Sequence, residues 1–74
     1  MIQIKTSARI RSLRKEQGMK QTKLANRLGV TPNCLCQWEH DHSRPSFEDL
    51  AMIAEIFHTT TDYLIGVTDE RNRA

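Results

Sequence analysis

The sequence has only two cysteines, Cys34 and Cys36. They stand too close together for an ordinary framework disulfide, and a reducing compartment keeps such residues as thiols. Without a staple, the core of a 74-residue chain has to be well packed or reinforced by a second subunit. No apolar run approaches the ~20 residues of a membrane span. The opening Met1-Ile2-Gln3-Ile4-Lys5 lacks the apolar stretch of a signal peptide. The chain therefore reads as one small cytoplasmic domain with no membrane contact. It contains no internal repeat and no low-complexity segment. It also has no Ser/His/Asp arrangement and no glycine-rich phosphate loop, so an enzyme is not expected, nor any cofactor.

With 27% charged and 38% hydrophobic residues, the composition is that of a globular protein. The net charge of +2 conceals a polarity. Residues 1–46 hold nine Lys/Arg against three acids, a balance of +6, whereas residues 47–74 stand at −4. One basic half is what a polyanion-binding face needs.

Strand signals are almost absent and helix signals recur. Thr6 or Ser7 can cap a first helix that turns Ala8, Ile10 and Leu13 inward, with Gly18 ending it. Leu24, Ala25 and Leu28 give a second helix its apolar stripe, stopped by Gly29. Thr31 followed by Pro32 is a strong start for a third, with Leu35 and Trp38 as its buried face. Ser46 caps a fourth, with Asp49 three residues on and an inward stripe of Phe47, Leu50, Ile53, Ala54 and Phe57. A short fifth follows through Tyr63, Leu64 and Ile65 to Gly66. Ile2 and Ile4 alternate, which suggests an extended arm over 1–5, ahead of a domain over 6–67 and a polar tail over 68–74. That tail is expected to fray from Asp69 onward.

The stretch Gln21 to His40, QTKLANRLGVTPNCLCQWEH, has the pattern of two short helices joined by a glycine-containing turn, the helix-turn-helix unit. Ala25 has to be small where the third helix crosses it. Gly29 sits in the turn, where a positive φ suits glycine. Leu24, Leu28, Val30, Leu35 and Trp38 point into the shared core. Pro32, Asn33, Cys36, Gln37 and His40 are left on the free face of the third helix, where a major groove would receive them.

The chain resembles the Xre/Cro-type family of phage and bacterial repressors. The resemblance runs from about Ala8 to Gly66 and rests on many positions in register. They are Ile10, Leu13-Arg14, Gln21, Leu24-Ala25, Leu28-Gly29-Val30-Thr31, Leu35, Trp38-Glu39, Arg44-Pro45-Ser46, Leu50 and Tyr63-Leu64-Ile65-Gly66. It implies an all-α, lambda-repressor-like domain of five short helices, with the helix-turn-helix at the second and third. It also implies a sequence-specific transcriptional regulator, most simply a repressor that binds double-stranded operator DNA as a homodimer.

What the resemblance implies of single residues follows the same register. Base reading falls to Asn33, Cys36, Gln37 and Pro32. Phosphate contact falls to Gln21, Lys20, Thr31, Arg44 and Lys23. Arg14 and Glu39 match a pair that bridges the first and third helices. Three positions depart from the family pattern. Lys20 replaces a Ser or Thr cap, Asp41 replaces a glycine after the third helix, and Pro32 replaces a polar residue and leaves only apolar contact to a base.

Two further readings complete the sequence. The stretch Cys34-x-Cys36-x-x-x-His40-x-His42 invites a metal, yet ligands on a helix share a face only three or four residues apart. Cys34 and Cys36 lie roughly 200° apart around a helix, so no metal site is expected from them. The apolar Met52, Ile56, Tyr63 and Val67 suggest a surface for a second subunit or a controlling protein partner. The alternative function on the same fold is therefore an antitoxin or antirepressor-like interaction module.

Overall fold

The computed structural model describes residues 3–72 and consists of five α-helices with no strand among those residues. They are α1 (Thr6–Glu16), α2 (Gln21–Leu28), α3 (Pro32–Glu39), α4 (Phe47–Ile56) and α5 (Thr61–Ile65). The sequence reading of an all-helical, five-helix domain agrees with this architecture. Met1 and Ile2 of the suggested arm, and Arg73 and Ala74 of the tail, lie outside the described residues.

Local chemistry sets most of the boundaries. Thr31 caps α3, its Oγ1 accepting from the Cys34 amide at 3.1 Å, with Pro32 in the first turn. Ser46 and Asp49 form a reciprocal capping box on α4: Asp49 N donates to Ser46 Oγ at 3.1 Å, and Ser46 N to Asp49 Oδ2 at 3.4 Å. Thr60 caps α5 through the Tyr63 amide at 3.0 Å. Between α2 and α3 the chain reverses at Gly29, whose φ of 72° is a left-handed conformation that glycine adopts without steric cost. After α3 the same conformation falls on Asp41, with φ 59°.

The first helix begins differently from the sequence expectation. Lys5 is its N-cap and no side chain caps it; Thr6 is already helical and buried. Ala8 faces solvent rather than the interior, because Ile10, Leu13 and Arg14 define the inward stripe. A second correction concerns Phe47, which is 85% exposed. It occupies the first position of α4, and the inward stripe starts one turn later at Leu50 and continues through Ile53 and Ala54.

Those residues meet Ile10 and Leu13 of α1, Leu24, Ala25 and Leu28 of α2, Leu35 and Trp38 of α3, and Leu64 of α5 in a single core. Val30, Phe57, Ile56 and Tyr63 pack against its edge. Of the four apolar residues suggested for a partner surface, Met52 and Val67 are exposed.

The stretch beyond α5 is held, which corrects the expectation of a frayed tail at Asp69 and Arg71. Arg9 of α1 donates to the carbonyls of Tyr63 and Thr68 and to the Asp69 carboxylate, with its guanidinium 4.0 Å from the centre of the Tyr63 ring. Arg71 pairs with Glu16 at 2.9 Å, and its carbonyl accepts from the Thr59 hydroxyl. On the other side of the chain, Lys5 N donates to Ile65 O at 2.9 Å.

Candidate nucleic-acid interface

The core claims one side of α3, through Leu35 and Trp38, and leaves the other side open. Asn33 and Pro32 are exposed in the first turn, Cys36 and Gln37 are half-buried one turn later, and His40 is exposed at the end. Asn33, Cys36, Gln37 and His40 stand at spacings of three, four and seven residues, so they form one stripe along the helix. Three of the four base-reading candidates, Asn33, Cys36 and Gln37, thus share a continuous open side of one short helix with His40, and the fourth, Pro32, is exposed beside them in the first turn.

A buried ionic network fixes how α3 sits on its neighbours. Arg14 Nε donates to Glu39 Oε2 at 2.7 Å and Arg14 Nη2 to Glu39 Oε1 at 3.0 Å, a bidentate pair between α1 and α3. The Glu39 side chain is 1% exposed and that of Arg14 11%. Arg14 Nη1 also donates to Met19 O at 2.8 Å. Gln21, the first residue of α2, donates from Nε2 to Glu39 Oε1 at 2.9 Å. One carboxylate therefore ties together α1, the start of α2 and the end of α3. The sequence marked Arg14 and Glu39 as a pair, but nothing in it signalled Gln21 as the third member.

Burial pushes the Glu39 carboxyl up. Hydrogen bonds from Arg14 and Gln21 and the positive charges of Arg14 and Arg11 outweigh it, so the group lies below the ordinary carboxylate range. Arg14 is held above its ordinary value, chiefly by its hydrogen bond to Glu39. The sign follows directly. A carboxyl whose folded value is depressed contributes stability in full above its unfolded value, about 4.5, and loses it as pH falls through the folded one. We therefore expect the melting temperature to fall as pH drops from about 5 toward 3, and Glu39→Gln to flatten that slope. Identical slopes for both proteins would dismiss Glu39 as the responsible group.

Of the five phosphate candidates, Gln21 has its side-chain amide nitrogen engaged by Glu39, and the other four divide into three groups. Lys20 and Lys23 line an open groove beside the first turn of α2, together with Thr22, Asn26 and the loop at 17–19. Thr31 is exposed at the start of α3, with its hydroxyl engaged in capping. Arg44 is not part of that groove. It stands in the loop after α3, exposed, 3.8 Å from the Asp41 carboxylate. Lys20 precedes α2 without capping it by a side chain, so the amides of the first turn lack a side-chain acceptor there. The α2 N-terminus, with two lysines beside it, thus carries a local positive potential.

Comparison with known proteins places this geometry. The helix-turn-helix family HTH_3 matches residues 10–64. The HTH-type transcriptional regulator AnsR of Bacillus subtilis is 35% identical over 66 residues, 89% of this chain and 57% of its own length. Repressor protein C2 of Salmonella phage P22 is 32% identical over 57 residues, 77% of this chain and 26% of that protein. The chain spans about half the length of the Bacillus regulators it matches. Among solved structures, the P22 c2 repressor in complex with a synthetic operator superposes with a TM-score of 0.78 at 30% identity, covering 85% of this chain and 94% of that one. A transcriptional regulator from Listeria innocua gives a TM-score of 0.86 at 27% identity, covering 99% of this chain and 68% of that one.

Proposed function

Because the chain belongs to the helix-turn-helix family HTH_3, we propose that it is a DNA-binding transcriptional regulator of the repressor type, acting as a homodimer on operator DNA. The observation that carries this reading is the open side of α3, held at a fixed angle by the Arg14–Glu39–Gln21 network while its other side is buried. A helix presented in that way is the element that enters a major groove in helix-turn-helix proteins. The likeness to a repressor solved on operator DNA supports the same orientation. Asn33, Cys36 and Gln37 then face base edges, with Pro32 offering apolar contact, while Lys20, Lys23, Thr31, Arg44 and the α2 N-terminus meet phosphates. Occupying a promoter suffices for repression. A homodimer would use the exposed apolar residues beyond the core, Met52 and Val67 among them. Its half-sites would lie ~10–10.5 base pairs apart on one face of the duplex.

The test separates holding from reading. An operator is first selected from a random DNA pool, and anisotropy titrations are then run against operator and scrambled duplexes at several salt concentrations. Arg44→Ala should weaken binding to both duplexes alike and reduce the salt slope by about one unit. Asn33→Ala should cost ~1–3 kcal/mol on the operator and relax preference at one position. Light scattering on the saturated complex should give two chains per operator. If neither substitution changes DNA binding, the proposed orientation is wrong.

A further inference from the structure

The stripe on α3 ends in a thiol and an imidazole placed side by side. Cys36 Sγ lies 3.5 Å from His40 Nδ1, and that nitrogen is also 2.9 Å from the Cys36 carbonyl oxygen. A zinc ion bound at ~2.3 Å to sulfur and ~2.0–2.1 Å to nitrogen with a tetrahedral angle spans its two ligands by about 3.6 Å. The pair therefore already has the bite of one tetrahedral ion. It is also an i, i+4 pair, the spacing that the cysteine pair Cys34/Cys36 lacks. Both side chains reach solvent: Cys36 is a half-buried free thiol and His40 is exposed.

We propose that Cys36 and His40 form a two-point chelate for a zinc-class divalent cation on the open side of α3. Sulfur and imidazole donors select zinc over magnesium or calcium, which prefer oxygen. On binding, the Cys36 thiol releases one proton to solvent and its sulfur bonds the ion. Beside the Cys36 carbonyl oxygen Nδ1 is the protonated nitrogen and donates to it. On binding, His40 gives up that proton to solvent and takes one at Nε2, so the ring stays neutral and the freed Nδ1 lone pair bonds the ion. Among the described residues no cluster of three or more His, Cys, Asp or Glu could enclose a metal. Water therefore fills the remaining positions, and the site is an open, reversible one rather than a structural clamp. Its place has a consequence that rests on the DNA-binding reading. The ion and its waters would occupy the space where Cys36 faces a base, so zinc and operator would compete.

Calorimetric titration of the full reduced chain with zinc chloride, in two buffers of different ionisation heat, tests the chelate without DNA. One ion per chain and net proton release are expected. Cys36→Ser and His40→Ala should each weaken binding by about tenfold or more, while Cys34→Ser should leave it unchanged. Circular dichroism checks that each variant keeps its helices, and if Cys36→Ser unfolds, His40→Ala decides. No heat with the parent chain, unchanged binding by His40→Ala, or an equal loss in Cys34→Ser overturns the proposal. In the DNA arm, zinc should weaken operator binding by the parent chain and not by His40→Ala. Zinc binding without any effect on the operator overturns the competition. A metal-free chain that binds no DNA overturns the function proposed above and leaves the chelate to stand on the calorimetry.

Discussion

Replacing Glu39 by alanine is expected to remove about 3–5 kcal/mol of folding stability, because it strands a buried charge. Each Glu39 oxygen is bonded: Oε2 by Arg14 Nε, Oε1 by both Arg14 Nη2 and Gln21 Nε2. Alanine would leave the Arg14 guanidinium in a nearly closed site with only the Met19 carbonyl. Domains of this kind are stable by roughly 5–15 kcal/mol in all, so the loss is a large share. At ~4–8 °C per kcal/mol for a domain of this size, the melting temperature should fall by more than about 10 °C. The exposed pair Glu16–Arg71 provides the control, its side chains being 51% and 41% exposed. Glu16→Ala should change thermal stability little, because solvent screens such a pair. Replacing Arg14 and Glu39 together by apolar residues should cost less than Glu39→Ala alone. Melts of Glu39→Ala that coincide with the parent chain would show that this pair does not hold α1 to α3.

The second large effect is expected at Gly66. Its φ of 110° is a conformation that side-chain-bearing residues rarely adopt, and holding alanine there costs about 1–3 kcal/mol. The space is closed as well. A Cβ on Gly66 would run into the Gln3 carbonyl oxygen and stand 3.2 Å from Lys5 N, both backbone atoms. Gly66→Ala therefore strains the turn after α5 and pushes away the segment at 3–5 that bonds Ile65 through Lys5 N. Gly29 offers the comparison: its φ is 72°, but a Cβ there meets nothing within 4 Å. Gly66→Ala should melt lower than Gly29→Ala, and hydrogen exchange at the Lys5 amide should quicken in the Gly66 variant alone. Equal melting temperatures, with the Lys5 amide still protected, would refute the clash.

Much of the fold was legible because its signals are local. Thr31-Pro32 and Ser46-x-x-Asp49 announce their helices through bonds made within three residues, and the stripes at Leu24, Ala25, Leu28 and Leu50, Ile53, Ala54 repeat at the helical period. The exceptions have physical reasons. Phe47 fits the apolar spacing of α4, yet the packing begins a turn further on, and periodicity carries no information about where a neighbouring helix ends. Thr6 looks like a cap but lies inside α1, buried, because the chain enters the helix one residue earlier. At the candidate interface, the resemblance of Arg14 and Glu39 to a bridging pair pointed to two members of the network. Gln21 joins them across 18 residues, and Arg9 reaches Tyr63 and Thr68 across 54 and 59. No short window of sequence contains both ends of such a contact.

The clasp between the first helix and the segment after the last has a consequence for cooperativity. Arg9 and Asp69 are 60 residues apart in the chain, and joining two such points restricts a flexible chain by about 4 kcal/mol of configurational entropy. That restriction is incurred once. After Arg9 has met Asp69, Lys5 can reach Ile65 and Arg71 can reach Glu16 across gaps that the first contact has already closed. The three links should therefore form and open as one unit rather than singly, giving the amides around Lys5 and Gly66 a shared exchange rate. Ring closure turns a set of individually weak, partly exposed contacts into a single all-or-none latch.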